Sequence, residues 1–404
     1  MFSAIFIFVA NCFVFLNADI LHGYGNNKFA VKTPYFWTHP QKTFMPNELY
    51  TLRHNGDICH AIQLNFISRH AARYNEPDVM DSFSTLQNKI KSSYANSNYS
   101  FISTWVNNYP KSKANTVTKL GFQEMTYLGA KYGNALLSLF TSHLDTVKVR
   151  SSHVQRTSTS GSAFMDGVRI GIGSGSPLNI TPVVDDRIML FYDGCTKYAT
   201  KVLGNKTLLQ EKYEFRNSTM FRNMIRQDYY TRLYGHPVIA AMTCPLVEDV
   251  FKSMDNAIHN YKANKSNKSK LPSALYRNRY PVADVRFGHS PTIGPFLAAL
   301  GLFKDSQPPT ARNFAAMKNR LFSVNTVVPF SANIGFILYD CGNGLPDDQL
   351  VRLYVNEEPM VIPACGSVTC NYSDVRRYYS SMVDKCNWDD VCKNVNFLPP
   401  NIVG

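Results

Sequence analysis

Two arginines flank a histidine in Arg69-His70-Ala71-Ala72-Arg73, directly after the apolar run Leu64-Asn65-Phe66-Ile67-Ser68. Planar guanidinium forks match the oxygens of a tetrahedral oxyanion, and an imidazole between them is a nucleophile suited to phosphorus. Two surface charges beside a strand-end histidine would give the same string, so the motif needs partners elsewhere in the chain. Two further segments end in a similar way. Val147-Lys148-Val149-Arg150 runs through Ser151, Ser152 and His153 to Arg156, and Val282 to Gly288 runs into His289.

The elements that must position these groups follow from apolar patterning. Ala61 to Ser68 reads as a strand buried on both faces, since it lacks clean alternation. Val147 to Arg150 and Val282 to His289 read as two more strands, and in an open α/β sheet ligands bind at the carboxyl ends of strands. A helix opening at Ser162 would place its amino end near an anion held by Arg156. Ser82 to Tyr99 and Lys113 to Phe140 have helical spacing, and Ser290-Pro291 supplies an N-cap and first-turn proline for an apolar helix that stops near Gly301. Asn333 to Tyr339 and Val351 to Asn356 are later strands, the second forming a hairpin with Pro359 to Pro363. The arm from Asp19 to Arg53 and the last forty residues read as irregular.

At 404 residues, with 45% hydrophobic and 18% charged, the chain has the composition of a folded globular protein. Its 42 Lys and Arg against 29 acids give +13, a field that draws polyanions. No zinc-ligand spacing, Walker-type loop or helix-turn-helix signature is present, so nucleic-acid binding would rest on charge alone. Phe2 to Leu16 reads as a secretory signal segment, taken to end at residue 18, with an uncleaved anchor as the alternative. No later stretch is long and apolar enough to span a bilayer and no retention tetrapeptide ends the chain, so secretion or the endoplasmic reticulum lumen is expected. Apart from Cys12, eight cysteines can pair, with Cys386 and Cys392 the closest candidate bridge. Glycosylation sequons stand at Asn98, Asn179, Asn205, Asn217, Asn264, Asn267 and Asn371.

The three strand ends together, Arg69, His70 and Arg73, then Arg156, then His289, resemble the histidine acid phosphatase superfamily, whose first motif is Arg-His-Gly-x-Arg-x-Pro. Ala283 to Asp305, Ser331-Ala332-Asn333-Ile334, Leu338-Tyr339-Asp340-Cys341 and Tyr354-Val355-Asn356-Glu357-Glu358 leading to Pro363-Ala364-Cys365 are similar to the multiple inositol polyphosphate phosphatase branch. The resemblance implies an α/β fold, a phosphoglycerate-mutase-like sheet flanked by helices. Residues 19–170 and 281–404 would form that domain, with 171–280 inserted as a mostly helical cap. It also implies phosphomonoester hydrolysis through a phosphohistidine: His70 as nucleophile, with Arg69, Arg73, Arg156 and His289 holding the phosphoryl oxygens. No metal or cofactor is implied, since the arginines take the electrostatic role. The implied substrates are small polyanions, inositol hexakisphosphate and lower inositol polyphosphates, with 2,3-bisphosphoglycerate as a second.

The sequence departs from the family pattern in three ways. Ala71 replaces glycine, and a methyl group there would crowd any backbone approach to phosphate. Asn75 stands at the proline position, with Pro77 two residues later. Ser290 and Pro291 occupy both positions where an acid would protonate the leaving oxygen, a group usually worth about 10²–10⁴ in rate. Asp284, Glu76, Asp78 and His153 are the candidate substitutes. The alternative function is a pseudophosphatase that binds a phosphorylated ligand without turnover.

Overall fold

The computed structural model describes residues 30–93, 104–178, 180–185, 233–234, 237–267, 280–308, 313, 316–317, 319–342 and 348–387. The expected signal segment, Asn98, Asn179, Asn205, Asn217, Cys195 and Cys392 lie outside them. So does most of the expected inserted cap.

A nine-stranded sheet runs in the order β4-β3-β5-β2-β6-β7-β8, with β1 (Thr51–His54) against β2 (Asp57–Arg69) and β9 (Thr369–Asn371) against β7 (Gln349–Val355). β3 (Lys148–Ser151), β4 (Val183–Val184) and β5 (Ala283–Gly288) are parallel to β2, while β6 (Asn333–Asp340) is antiparallel. Register aligns Arg69 with Gly288 and Ser151 with Phe287, so the carboxyl ends of β2, β3 and β5 lie side by side. The three short cationic motifs therefore meet at one sheet edge because three parallel strands end in step.

β2 is longer than its apolar run and starts at Asp57, because Ile58 to His60 pair with β1. The irregular arm thus ends in a strand. The hairpin from β7 to β8 (Glu358–Met360) turns at Asn356 and Glu357, both left-handed at φ 50° and 69°, as a tight two-residue turn requires. The C-terminal region is helical over Tyr372–Tyr378 and Ser380–Asp384, where an irregular tail was expected. Its aromatic anchor explains this: the buried Tyr379 donates to the Leu300 carbonyl at 2.7 Å.

The longer helices among the described residues are α1 (Pro77–Ser93), α2 (Lys119–Ala135), α3 (Gln155–Gly171), α4 (Cys244–Asn267) and α5 (Ser290–Ala299). α1 begins at Pro77, ahead of the apolar spacing that announces it, because proline suits a first helical position. α3 also begins early. Its Ser- and Thr-rich first turns have weak intrinsic propensity, and packing against α2 overrides it. That packing is backbone on backbone. A Cβ at Gly129 would overlap the Phe164 carbonyl oxygen, and one at Gly167 would overlap that of Thr126. Gly129→Ala is therefore expected to destabilise the chain by about 1–3 kcal/mol, by overpacking. Urea unfolding checks this, with Gly175→Ala, where a Cβ meets open space, as the near-neutral control.

α4, whose sequence lies within the segment expected to form the cap, packs on the sheet. Val247, Val250, Phe251 and Met254 are buried in the same apolar cluster as Leu64, Phe66 and Phe336. Asp249 on α4 then joins Asp284, Arg150 and Arg286 in a buried ion cluster, with Arg150 to Asp284 at 2.7 Å and Arg286 to Asp249 at 2.8 Å. Buried charges persist only when paired in this way.

The disulfides correct one expectation. Cys386 bonds Cys244, not Cys392, because α4 packs beside Ser380–Asp384 and brings the two sulfurs together. Cys59–Cys341 ties β2 to the end of β6, and Cys365–Cys370 closes a local loop. Of the expected glycosylation sites, Asn371 is exposed, and Asn264 and Asn267 fall at the end of α4. No helix among the described residues is long and apolar enough to cross a membrane.

Candidate active site

His70 follows the last residue of β2 and is 3% exposed. Its backbone N–H donates to Gly288 O at 2.8 Å, so β5 holds the turn where the chain leaves the sheet. On the ring, Nδ1 lies 2.9 Å from Ala71 O. A carbonyl can only accept, so Nδ1 carries the proton and Nε2 keeps its lone pair. Burial, with the Arg69, His289 and Arg156 charges, holds His70 well below the ordinary imidazole range. It is a neutral, oriented imidazole with one free nitrogen.

His289 follows β5 and caps α5, its backbone N–H donating to Thr292 Oγ1 at 3.2 Å. The cap is thus His289, one residue before Ser290, which takes the first helical position. The two histidine rings stand edge to face with centroids 5.3 Å apart. Arg156 Nη2 lies 3.4 Å from His289 Nδ1, and a guanidinium has no acceptor, so Nδ1 bears the lone pair. Nε2 then donates to Ser152 Oγ at 3.0 Å, and Ser152 stands 2.9 Å from Thr157 Oγ1. Burial, then the charges of Arg156, Arg69 and Arg73, push His289 down to about 3.

The three arginines differ in how they are held. Arg69 donates Nη1 to Val328 O at 2.9 Å and to Val31 O, and its guanidinium lies 4.2 Å from the Phe330 ring centre. Arg73 donates to Tyr74 O at 2.7 Å and pairs with Glu76. Arg156 sits in the first turn of α3, whose Ser160 Oγ accepts from Ala71 N–H at 2.9 Å and donates to Arg156 O at 2.6 Å. The buried Nε atoms of Arg73 and Arg156 have no hydrogen-bond partner among the described residues. Burial and the neighbouring Arg73 charge both pull Arg156 below its ordinary value. Like charges driven together this way are the electrostatics of an anion site.

The departures and substitute acids can now be placed. Ala71 is fully buried in the apolar cluster, with no left-handed backbone, so its methyl is accommodated. Asn75 accepts from Lys32 Nζ at 2.9 Å. Asp284 aligns with Asn65, five residues behind His289, roughly 16 Å at ~3.3 Å per residue. It is committed to Arg150 and Arg286, so it is no proton donor to this centre. Burial raises Glu76, yet its bond from Arg73 and the Lys32 charge hold it down to about 2. Glu76 is therefore a carboxylate, already deprotonated. Asp78 is exposed on the first turn of α1. His153, exposed after β3, acts electrostatically on His289.

Sequence reasoning missed the hydroxyls Ser152, Thr157 and Ser160, whose only signal is their place in the Ser- and Thr-rich stretch after β3. It also missed Glu124 on α2. Glu124 accepts from Phe36 N–H at 3.3 Å and from Ser331 Oγ at 3.4 Å, while Ser331 N–H donates to His70 O at 3.2 Å. Burial raises this carboxyl to about 8. A folded-state value above the unfolded one means its contribution is complete below the unfolded value near 4.5 and is lost as pH rises toward 8. Glu124→Gln is expected to remove that slope, gaining on the order of 1–4 kcal/mol over the parent at pH 8 and little at pH 4. Denaturant titrations of both chains at the two pH values check this.

The family model described as the histidine phosphatase superfamily, branch 2, matches residues 62–188 and 206–356. Multiple inositol polyphosphate phosphatase 1 of Gallus gallus is 22% identical over 395 residues, covering 83% of this chain and 85% of that one. The Dictyostelium discoideum protein of the same name is 34% identical over 117 residues, 29% of this chain and 18% of its own. Among solved structures, the D. castellii phytase aligns with a TM-score of 0.58 at 16% identity, over 90% of this chain and 86% of that one. Bifidobacterium longum multiple inositol polyphosphate phosphatase in complex with inositol hexasulfate aligns at 0.55 and 15%, over 88% and 97%. These neighbours share the α/β fold, and with paired histidines and converging arginines at the ends of three parallel strands, the chain belongs to branch 2 of the histidine phosphatase superfamily.

Proposed function

We propose that the chain is a phosphomonoesterase acting on inositol polyphosphates through a phosphohistidine, with 2,3-bisphosphoglycerate as a second substrate. The observation that carries this reading is the state of His70. Its Nδ1 proton is fixed on Ala71 O, its charge is suppressed and its Nε2 is available. A site that only bound phosphate would gain more from a protonated imidazole, so the binding-only alternative is not favoured.

In the first step His70 Nε2 attacks phosphorus, a P–N bond forms, and the P–O bond to the ring breaks with its electron pair leaving on the oxygen. Water then attacks the phosphohistidine and releases inorganic phosphate. Arg69, Arg73 and Arg156 offset the charge on the phosphoryl oxygens, and their fixed positions spare reorganisation during the step. His289 accepts from Arg156 through Nδ1 and so helps hold that guanidinium beside the phosphoryl group. Ser152 and Thr157 keep that ring oriented from its far edge.

The leaving alkoxide is the weak point. Neither Ser290 nor Pro291 is an acid that could protonate it, and of the substitutes Asp284 and Glu76 are held in ion pairs. Turnover of inositol esters is accordingly slow relative to esters with good leaving groups. Secretion or residence in the endoplasmic reticulum lumen is part of the same proposal, supported by the apolar start, the exposed Asn371 sequon and the Cys59–Cys341 and Cys244–Cys386 bonds. The test is phosphate release from inositol hexakisphosphate by the purified chain. Release that disappears in His70→Ala supports the proposal, and no release by the parent contradicts it.

A further inference from the structure

Glu76 stands where the chain leaves the catalytic loop for α1, and the backbone around it is fixed. Arg73 bridges Val117, Tyr74 N–H donates to Thr116 O at 2.9 Å, and Asn115 N–H donates to Asn75 O at 3.0 Å. Glu76 O then accepts from Met80 N–H at 3.0 Å at the start of α1. The carboxylate is held between two cations. One oxygen accepts from Arg73 Nη2, and the other lies 3.7 Å from Lys32 Nζ, which also donates to Asn75 Oδ1 at 2.9 Å.

Arg73 is therefore engaged at both terminal nitrogens, Nη1 by Tyr74 O at 2.7 Å and Nη2 by Glu76. Its side chain is 11% exposed and that of Glu76 42%, so a buried guanidinium is covered by a half-exposed carboxylate. The Glu76 charge also raises Arg156. One anion of the chain thus bears on two of the three arginines assigned to the phosphoryl oxygens. Carboxylate and phosphate oxygens seek the same guanidinium fork, and a phosphate dianion on Arg73 would meet Glu76 as a like charge.

We infer that Glu76 is an internal competitor for the phosphate site: its carboxylate occupies Arg73 when the site is empty, yields to an incoming phosphoryl group by moving toward Lys32, and retakes Arg73 as inorganic phosphate leaves. The inference rests on the proposed phosphatase reading and concerns how tightly the product is held, not how it is made. No covalent bond changes in the exchange; one oxyanion replaces another on a guanidinium. A carboxylate that merely braced Arg73 would act with the opposite sign, since its loss would free the guanidinium and weaken phosphate binding.

Calorimetric titration of inorganic phosphate into the parent chain, Glu76→Gln and Glu76→Ala at one ionic strength tests this. Both variants are expected to bind phosphate about five- to tenfold more tightly, the scale of a partly exposed ion pair together with the repulsion removed. Urea unfolding midpoints stay close to the parent, because exposed pairs of this kind contribute little to folding. Tighter binding is a result that structural damage does not produce. Affinity within about twofold of the parent in both variants would overturn the competitor and leave the phosphate site standing, and weaker binding would make Glu76 a brace. Failure of both variants to fold would likewise make it a brace and overturn the inference. Absence of phosphate binding in all three chains would strike the anion site itself, and the inference with it.

Discussion

His70→Ala is expected to lower phosphomonoester hydrolysis by about 10⁴–10⁶-fold, measured as kcat on an aryl phosphate, with little change in KM. The size follows from what is lost. Alanine removes the nucleophile, and the one other imidazole beside the three arginines among the described residues, His289, has both ring nitrogens engaged. His289 cannot substitute, since its Nδ1 faces Arg156 and its Nε2 faces Ser152. The arginines remain, so substrate still binds. His70→Gln sharpens the result, because it fills space yet supplies no nucleophile. A variant that kept a tenth of parental kcat would mean that water attacks phosphorus directly.

Pro291→Glu is expected to act in the opposite direction, raising kcat on inositol hexakisphosphate by about 10²-fold while leaving the aryl phosphate rate within about twofold. An aryl oxide leaves unaided, and an alkoxide does not, so only the alkyl ester responds to a new acid. Pro291 is half-buried near the start of α5, where a glutamate suits the helix amino end and regains a backbone N–H. A bound phosphate dianion raises the new carboxyl, and the gain grows as pH falls and the acid form is populated. Equal kinetics for Pro291→Glu and the parent on both esters would identify an acid already at work. His153→Ala would then be expected to abolish the alkyl rate selectively.

What the sequence revealed of this site, and what it hid, divides along physical lines. Arg69, His70 and His289 were legible because each ends a buried apolar run, and parallel strands in register place such ends together. Arg156 was legible from its motif although α3 began earlier than its apolar spacing implied. That shift comes from glycine-mediated contact with α2, a tertiary effect that local propensity does not encode. Ser152 and Thr157 were hidden because short hydroxyl side chains favour turns as readily as they orient a histidine. Asp284 looked available because its partners Arg150 and Asp249 come from other elements. Cys386 looked nearest to Cys392, but proximity along the chain does not decide which sulfurs α4 brings together. That Ser290 and Pro291 carry no acid is plain from sequence, while only the structure disclosed that Glu76 and Asp284 are held as ion-pair partners.

The most direct test of the account is to trap the intermediate. The chain is mixed with radiolabelled aryl phosphate, quenched in alkali within a fraction of a turnover, and the labelled peptide is sequenced. The account predicts an alkali-stable, acid-labile phosphoryl group on Nε2 of His70, absent from His70→Ala. Phosphate release with no such adduct, or an adduct on any other residue, would contradict it.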